Sequence, residues 1–211
     1  MTTAAGKRGF HHGDLATALV AAASALIAAR GGPDFSLREV AESVGVSHTA
    51  AYRHFAAKAD LMAEIATRGF VRLDRAIRAA IVRHGAEIDA DASLRTAGLA
   101  YLDFAERHPG AYRVMFMAEL CDPARHPGLT EAASAALASL VDIVRAGQKA
   151  GTVRADRPAD VAAAAVWAAT HGHAMLLLDG QIRDGSSGAI GGPPADRDLL
   201  IEMVCAGIAA R

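Results

Sequence analysis

The chain has 211 residues, 52% of them hydrophobic and 21% charged, and a mean hydropathy of +0.20. That composition excludes intrinsic disorder and allows a sizeable core in one to one and a half domains. Net charge is −1, which excludes a uniformly basic nucleic-acid coat. Residues 1–85, however, hold 11 Lys+Arg against 7 Asp+Glu, and residues 86–211 hold 11 against 16. A basic beginning on an acidic remainder suggests that one end meets a polyanion.

Alanine, the best helix former and a poor strand former, occurs 51 times, so an all-α chain of about nine helices is expected. Residues 1–12 are small, basic and unpatterned and read as an arm; His11 and His12 either extend toward a partner or belong to a free tail. Lys7 and Arg8 precede an apolar run, but Asp14, Thr17 and Ser24 argue for an amphipathic helix over a signal peptide. Asp14 is expected to cap this helix, whose apolar face is Leu15, Leu19, Ala22, Ala23, Leu26 and Ile27, and Gly31-Gly32-Pro33 stops it.

Ser36-Leu37-Arg38-Glu39 has capping-box spacing and opens a short helix that ends at Gly45. Ser47 caps a second, His48 to His54, and a longer helix is expected from Lys58 to Arg83. His84–Ser93 reads as a loop, followed by helices at Leu94–Arg107 and from Pro109 to about Cys121. A proline-bearing loop at 122–128 precedes helices at Thr130–Ala150 and from Pro158 to about Ile182. Residues 184–194 read as a connector, and Asp196 as the cap of a last helix. Val161–Leu178 is mostly alanine and reads as a buried helix, not a membrane span. Cys121 and Cys205 form no ligand-spaced motif and read as core thiols, consistent with a reducing, cytoplasmic compartment.

Residues 36–55, SLREVAESVGVSHTAAYRHF, carry the chemistry. Ala41 is small where two helix axes must approach, Gly45 permits the left-handed reversal, and Val46 can plug the corner. This is the helix-turn-helix plan, whose second helix enters a DNA major groove. A structural corner would be built the same way, but it would not gather His48, Thr49, Tyr52, Arg53 and His54 on its second helix, with Lys58 just beyond.

These residues, from His11-His12-Gly13-Asp14-Leu15 through Ala41, Gly45-Val46-Ser47, Tyr52-Arg53-His54-Phe55 and Lys58 to Leu61, resemble the N-terminal domain of TetR-type (tetracycline-repressor-like) regulators. Phe104-Ala105, Pro109, Tyr112, Met115-Phe116, Trp167 and His171-Gly172 resemble the C-terminal domain of the subgroup with a Trp-His-Gly signature. The resemblance implies an N-terminal DNA-binding domain (1–57) and a helical regulatory and dimerisation domain (58–211). It also implies a homodimer, double-stranded DNA as partner and a small-molecule effector, apolar or amphipathic.

On the family pattern Ser47, Thr49 and Ala50 sit at the front of the recognition helix, where threonine and alanine face base edges. Tyr52, His54 and Lys58 would hold phosphates, with a half-buried packing ring, a helix-end contact to backbone and a solvated surface charge as their respective alternatives, and Arg53 reaches either phosphate or water; His48 completes the polar face. Tyr52→Ala and Lys58→Ala are both expected to weaken DNA binding with little change in melting temperature. Where the family has a capping residue before the lysine, this chain has Ala57, a loss expected to cost about 0.5–2 kcal/mol.

Tyr101, Phe104, Met115, Phe116, Met117, Leu120, Trp167, His171 and Met175 are candidates to line a pocket, each with plain core packing as the alternative. His171 is either a pocket hydrogen-bonder or a satisfied core histidine. Ala165, Gly172 and Leu176 with Leu199, Met203 and Ala206 are candidates for the dimer face, which the family builds as a four-helix bundle. No catalytic or metal-binding motif occurs, so neither an enzyme nor a cofactor is expected. A helical adaptor and a metal-sensing regulator are the alternatives. The sign of regulation implied by resemblance is repression.

Overall fold

A computed structural model describes residues 12–83, 90–117, 124–183 and 196–210. Among them are nine helices: α1 (His12–Arg30), α2 (Leu37–Val44), α3 (His48–His54), α4 (Lys58–Arg83), α5 (Ala90–Arg107), α6 (Pro109–Met115), α7 (Pro127–Ala150), α8 (Ala159–Leu178) and α9 (Arg197–Ile208). No strand occurs among the described residues; a single bridge ties Val153 to Ala209. The all-α expectation holds. The expected arm before His12, Leu120 and Cys121 lie outside the described residues.

Several boundaries differ from the sequence reading. α1 starts at His12, so Asp14 lies in its first turn and not at its cap. α5 starts at Ala90, not Leu94, because Asp91 belongs in a first turn, where a carboxylate suits the helix dipole. α6 ends at Met115, well before Cys121. α7 begins at Pro127, a residue whose missing N–H costs nothing at the first helical position. α8 ends at Leu178, where the chain turns through Gly180 at φ +68°.

Three helices form the N-terminal unit. Leu19, Ala23 and Ile27 of α1 are fully buried, together with Val40 and Ala41 of α2 and Ala51 of α3. α4 continues from this unit into the second half, where it packs on α5, α6 and α7. α6 in turn packs along α1. Gly110 permits that approach: a Cβ there would lie 2.9 Å from the Ser24 carbonyl carbon and 3.1 Å from the Ala28 nitrogen, and closer still to the Ser24 oxygen.

The start of α4 is not left uncapped. Ala57 has no capping side chain, but the Asp60 carboxylate accepts the Ala57 N–H at 2.9 Å. This is the reciprocal half of a capping box, with the acidic residue at the third helical position. The expected loss at Ala57 is thereby offset. Asp60→Ala should destabilise the chain by about 1 kcal/mol, a drop of roughly 2–4 °C in melting temperature; an unchanged melting curve would refute the compensation.

α8 and α9 leave an apolar face uncovered in the single chain. Leu176, Leu199 and Met203 are 47%, 51% and 66% exposed. Ala165 and Ala206 are exposed beside them, and a Cβ on Gly172 would meet nothing within 4 Å. By length and composition alone, α7 and α8 are each long and apolar enough to cross a membrane.

Candidate functional site

Local chemistry builds the α2–α3 corner. The Ser36 hydroxyl accepts the Glu39 N–H at 3.2 Å, and the Ser47 hydroxyl accepts the Ala50 N–H at 3.2 Å. Each serine thus satisfies a donor that the helix start would leave unpaired. Between them Gly45 adopts φ +77°, and the Gly45 and Val46 amides donate to the Glu42 and Ala41 carbonyls at 3.0 Å each. A left-handed residue at this point reverses the chain and sets the α2–α3 angle.

α3 presents two unlike sides. Ala51 is fully buried and Ala50 half-buried against the core, whereas Ser47, His48, Thr49, Tyr52 and Arg53 are exposed and His54 is half-buried. Tyr52 leaves 46% of its surface in solvent. His48 Nε2 meets a Glu42 carboxylate oxygen at 3.0 Å. Such a helix has the size and polarity of a major-groove reader.

Lys58 is engaged within the chain. Its ammonium donates to the Pro33 carbonyl and stands 4.6 Å from the centroid of the Phe35 ring. The lysine therefore also holds the α1–α2 loop against the start of α4. Sequence spacing gave no sign of this, because the partners lie 25 residues apart. Beside that loop Arg30 pairs with Glu39, which holds the Glu39 carboxyl below its ordinary range.

A cavity of about 560 Å³ opens in the second half of the chain, within the range that small-molecule pockets occupy. Tyr101, Met115, Phe116 and Trp167 line it. Phe104 does not; it packs in the core with its ring centroid 4.9 Å from that of His108. Met175 and Met117 are half-buried and lie outside the lining. Sequence reasoning missed Phe70, Leu73 and Ile77 of α4 and Leu137, Leu140 and Ile143 of α7. Their spacing signals a buried helical face, but it does not distinguish a face on a core from a face on a void.

His171 sits behind the wall in a cluster of aromatic polar groups. Its Nδ1 lies 2.8 Å from the Tyr112 hydroxyl and 3.1 Å from the Tyr101 hydroxyl. The two hydroxyls are 2.9 Å apart, and Trp167 Nε1 donates to Tyr101 at 3.2 Å. Burial lowers the His171 pKa, so the ring is neutral at physiological pH. Burial likewise raises the Tyr112 pKa and pushes that of Tyr101 up to about 12, so both phenols keep their protons. Among the described residues no group of three or more His, Cys, Asp or Glu is arranged to hold a metal.

Comparison with known proteins places these features. Residues 19–65 match the family described as bacterial regulatory proteins, tetR family, and residues 94–202 match the tetracyclin repressor-like C-terminal domain. Among solved structures the chain is similar to a protein of unknown function from Rhodococcus sp. RHA1, with TM-score 0.76 and 29% identity over 96% of this chain and 100% of that one. It is similar also to a bacterial regulatory protein in the tetR family from Rhodococcus RHA1, with TM-score 0.72 and 21% identity over 93% and 97%. The ketosteroid transcriptional regulator KstR2 of Mycobacterium tuberculosis has TM-score 0.64 and 20% identity over 98% and 99%. No curated protein matches the chain.

Proposed function

The chain belongs to the tetracycline-repressor family of transcriptional regulators, and from that premise we propose that it is a cytoplasmic, non-enzymatic repressor that binds its operator as a homodimer and is released by an effector in the cavity. The observation that carries the reading is α3: a short helix capped by Ser47, buried through Ala51 and polar on its outer side. In this reading Thr49 and Ala50 face base edges, and Tyr52, Arg53, His54 and Lys58 approach phosphates. His48 and Ser47 complete the polar front of the helix. Residues 1–57 form the DNA-binding part and residues 58–211 the regulatory part.

Each chain carries one recognition helix, so specific binding uses two copies on a near-palindrome with half-sites roughly 34–36 Å apart. Linking two heads raises the effective concentration of the second without new contacts. Selection from random DNA followed by a gel shift tests the reading: a symmetric, two-part site is expected, and the absence of any selected sequence would refute it.

The face of Ala165, Gly172, Leu176, Leu199, Met203 and Ala206 is the proposed seat of the second copy, because so much apolar surface on two neighbouring helices favours burial. Leu199 and Met203 are exposed, so charging them spares the fold of the single chain. The double variant Leu199→Glu/Met203→Glu should keep its helicity and sediment as a monomer at micromolar concentration, since like charges would face each other across the two-fold axis. A variant that still sediments as a dimer would place the interface elsewhere.

Release is a shift between two arrangements of the heads. An effector acts only through the difference in its affinity for them. α4 joins the two sites directly: Phe70, Leu73 and Ile77 line the cavity and Lys58 holds the loop beside the DNA-binding helices. α6 offers a second connection, with Met115 on the cavity and Gly110 against α1.

A further inference from the structure

The wall of the cavity limits what the effector can be. Its described lining residues include no Lys, Arg, His, Asp or Glu. Arg78 and Arg113, on the helices that contribute Ile77 and Met115, are held by carboxylates, Asp74 at 2.8 Å and Asp179 at 2.7 Å. A carboxylate or phosphate buried against such a wall would lose its hydration without gaining a counter-charge. Most of the lining is aliphatic or aromatic, as an apolar skeleton requires.

The wall does hold hydrogen-bond donors. His171 Nδ1 is within reach of both phenols, and as the N–H tautomer it donates to one of them. The Tyr112 hydroxyl is the nearer, at 2.8 Å against 3.1 Å, and its ring is completely buried and outside the lining. Tyr101 lines the cavity and receives the Trp167 N–H. With the Tyr112 hydroxyl donating to the Tyr101 oxygen at 2.9 Å and Trp167 Nε1 donating to it at 3.2 Å, the Tyr101 proton is available to an acceptor in the cavity at the expense only of the 3.1 Å His171 contact.

We infer that the effector is a neutral molecule, an apolar skeleton bearing a carbonyl or similar uncharged oxygen that accepts a hydrogen bond from Tyr101. The inference rests on the reading of the cavity as the effector site. It separates ketones, esters and amides from the free carboxylic acids of the same skeleton.

Trp167, the one tryptophan in the chain, stands in the cavity wall and reports on occupancy by its fluorescence. Methyl laurate, laurate and dodecane form a matched set with an acceptor, an anion and neither. At about pH 8, where the acid is ionised, the full-length protein should bind the ester roughly tenfold or more tightly than either other probe. Tyr101→Phe should abolish the preference for ester over alkane. Laurate binding as tightly as the ester, or no Trp167 response to any of the three, would overturn the inference, as would an undiminished preference in Tyr101→Phe. The comparison on the unaltered chain stands even if that variant folds poorly. A gel shift in the presence of bound ester tests the underlying reading separately: tight ester binding with no change in operator affinity would refute effector release and leave the ligand assignment intact.

Discussion

Gly110→Ala is expected to lower the stability of the chain by about 3 kcal/mol or more, a fall of roughly 6–12 °C in melting temperature for a chain of this size. The added methyl group would meet backbone, the carbonyl of Ser24 and the amide of Ala28, not the end of a pliable side chain. Backbone within a helix yields only if α1 and α6 separate. That separation would loosen Ile27, which is fully buried in α1, and Tyr112 and Val114, fully buried in α6. Gly128→Ala is the matched control, since Gly128 is exposed in the first turn of α7 and a Cβ there meets nothing within 4 Å. Thermal unfolding monitored by circular dichroism distinguishes the two, and a Gly110→Ala variant as stable as its parent would contradict the close α1–α6 crossing. Because this crossing joins the DNA-binding helices to the cavity side, the same variant should also weaken the response of DNA binding to effector.

Tyr52→Ala is expected to weaken operator binding roughly a hundredfold or more. In the proposed role each Tyr52 hydroxyl donates to a phosphate. One hydrogen bond to a charged group is worth about 1.5–3 kcal/mol, and a dimer loses two of them. Just over half of the ring is packed against the chain, so truncation also costs stability, and Tyr52→Phe, which removes only the hydroxyl, should lose the same affinity with its melting temperature within about 2 °C. A neutral hydroxyl releases no counterion, so the salt dependence of binding should keep its slope.

Lys58→Ala should behave differently. It should lower the salt slope by roughly two for a dimer if both lysines reach phosphate. It should also lower the melting temperature, because the ammonium bonds the Pro33 carbonyl and stands over Phe35. The expectation from sequence that both variants spare stability is therefore revised for Lys58, whose partners within the chain it did not include. Binding isotherms at several salt concentrations, paired with melting curves, separate the two residues. Equal operator affinity for Tyr52→Ala and its parent would remove the role assigned to the ring.

What was legible in the sequence has a common range. Ser36 bonds the amide three residues on, as do Ser47 and Asp196. Gly45 closes its own helix, and Ala51 is spaced to meet the α2 core. Such signals act over one or two turns, so the residues that create them stand side by side in the chain. The helix-turn-helix unit and the order of the helices followed from them alone. Helix ends were less legible, since Pro127 and Asp91 read equally well as loop or as first turn.

Contacts between distant segments decided the remainder. Lys58 meets Pro33, Gly110 meets Ser24, and Tyr101, Tyr112 and His171 converge from three helices. Phe70 and Leu137 line a void, while Phe104, chosen for the pocket from sequence, fills solid core. All three have the same apolar periodicity. Whether such a face borders a cavity depends on how far apart its neighbouring helices stand, a distance set by side-chain volumes summed across the whole bundle. No local pattern encodes that sum, so the helix-turn-helix was written in the sequence and the shape of the cavity was settled only by packing.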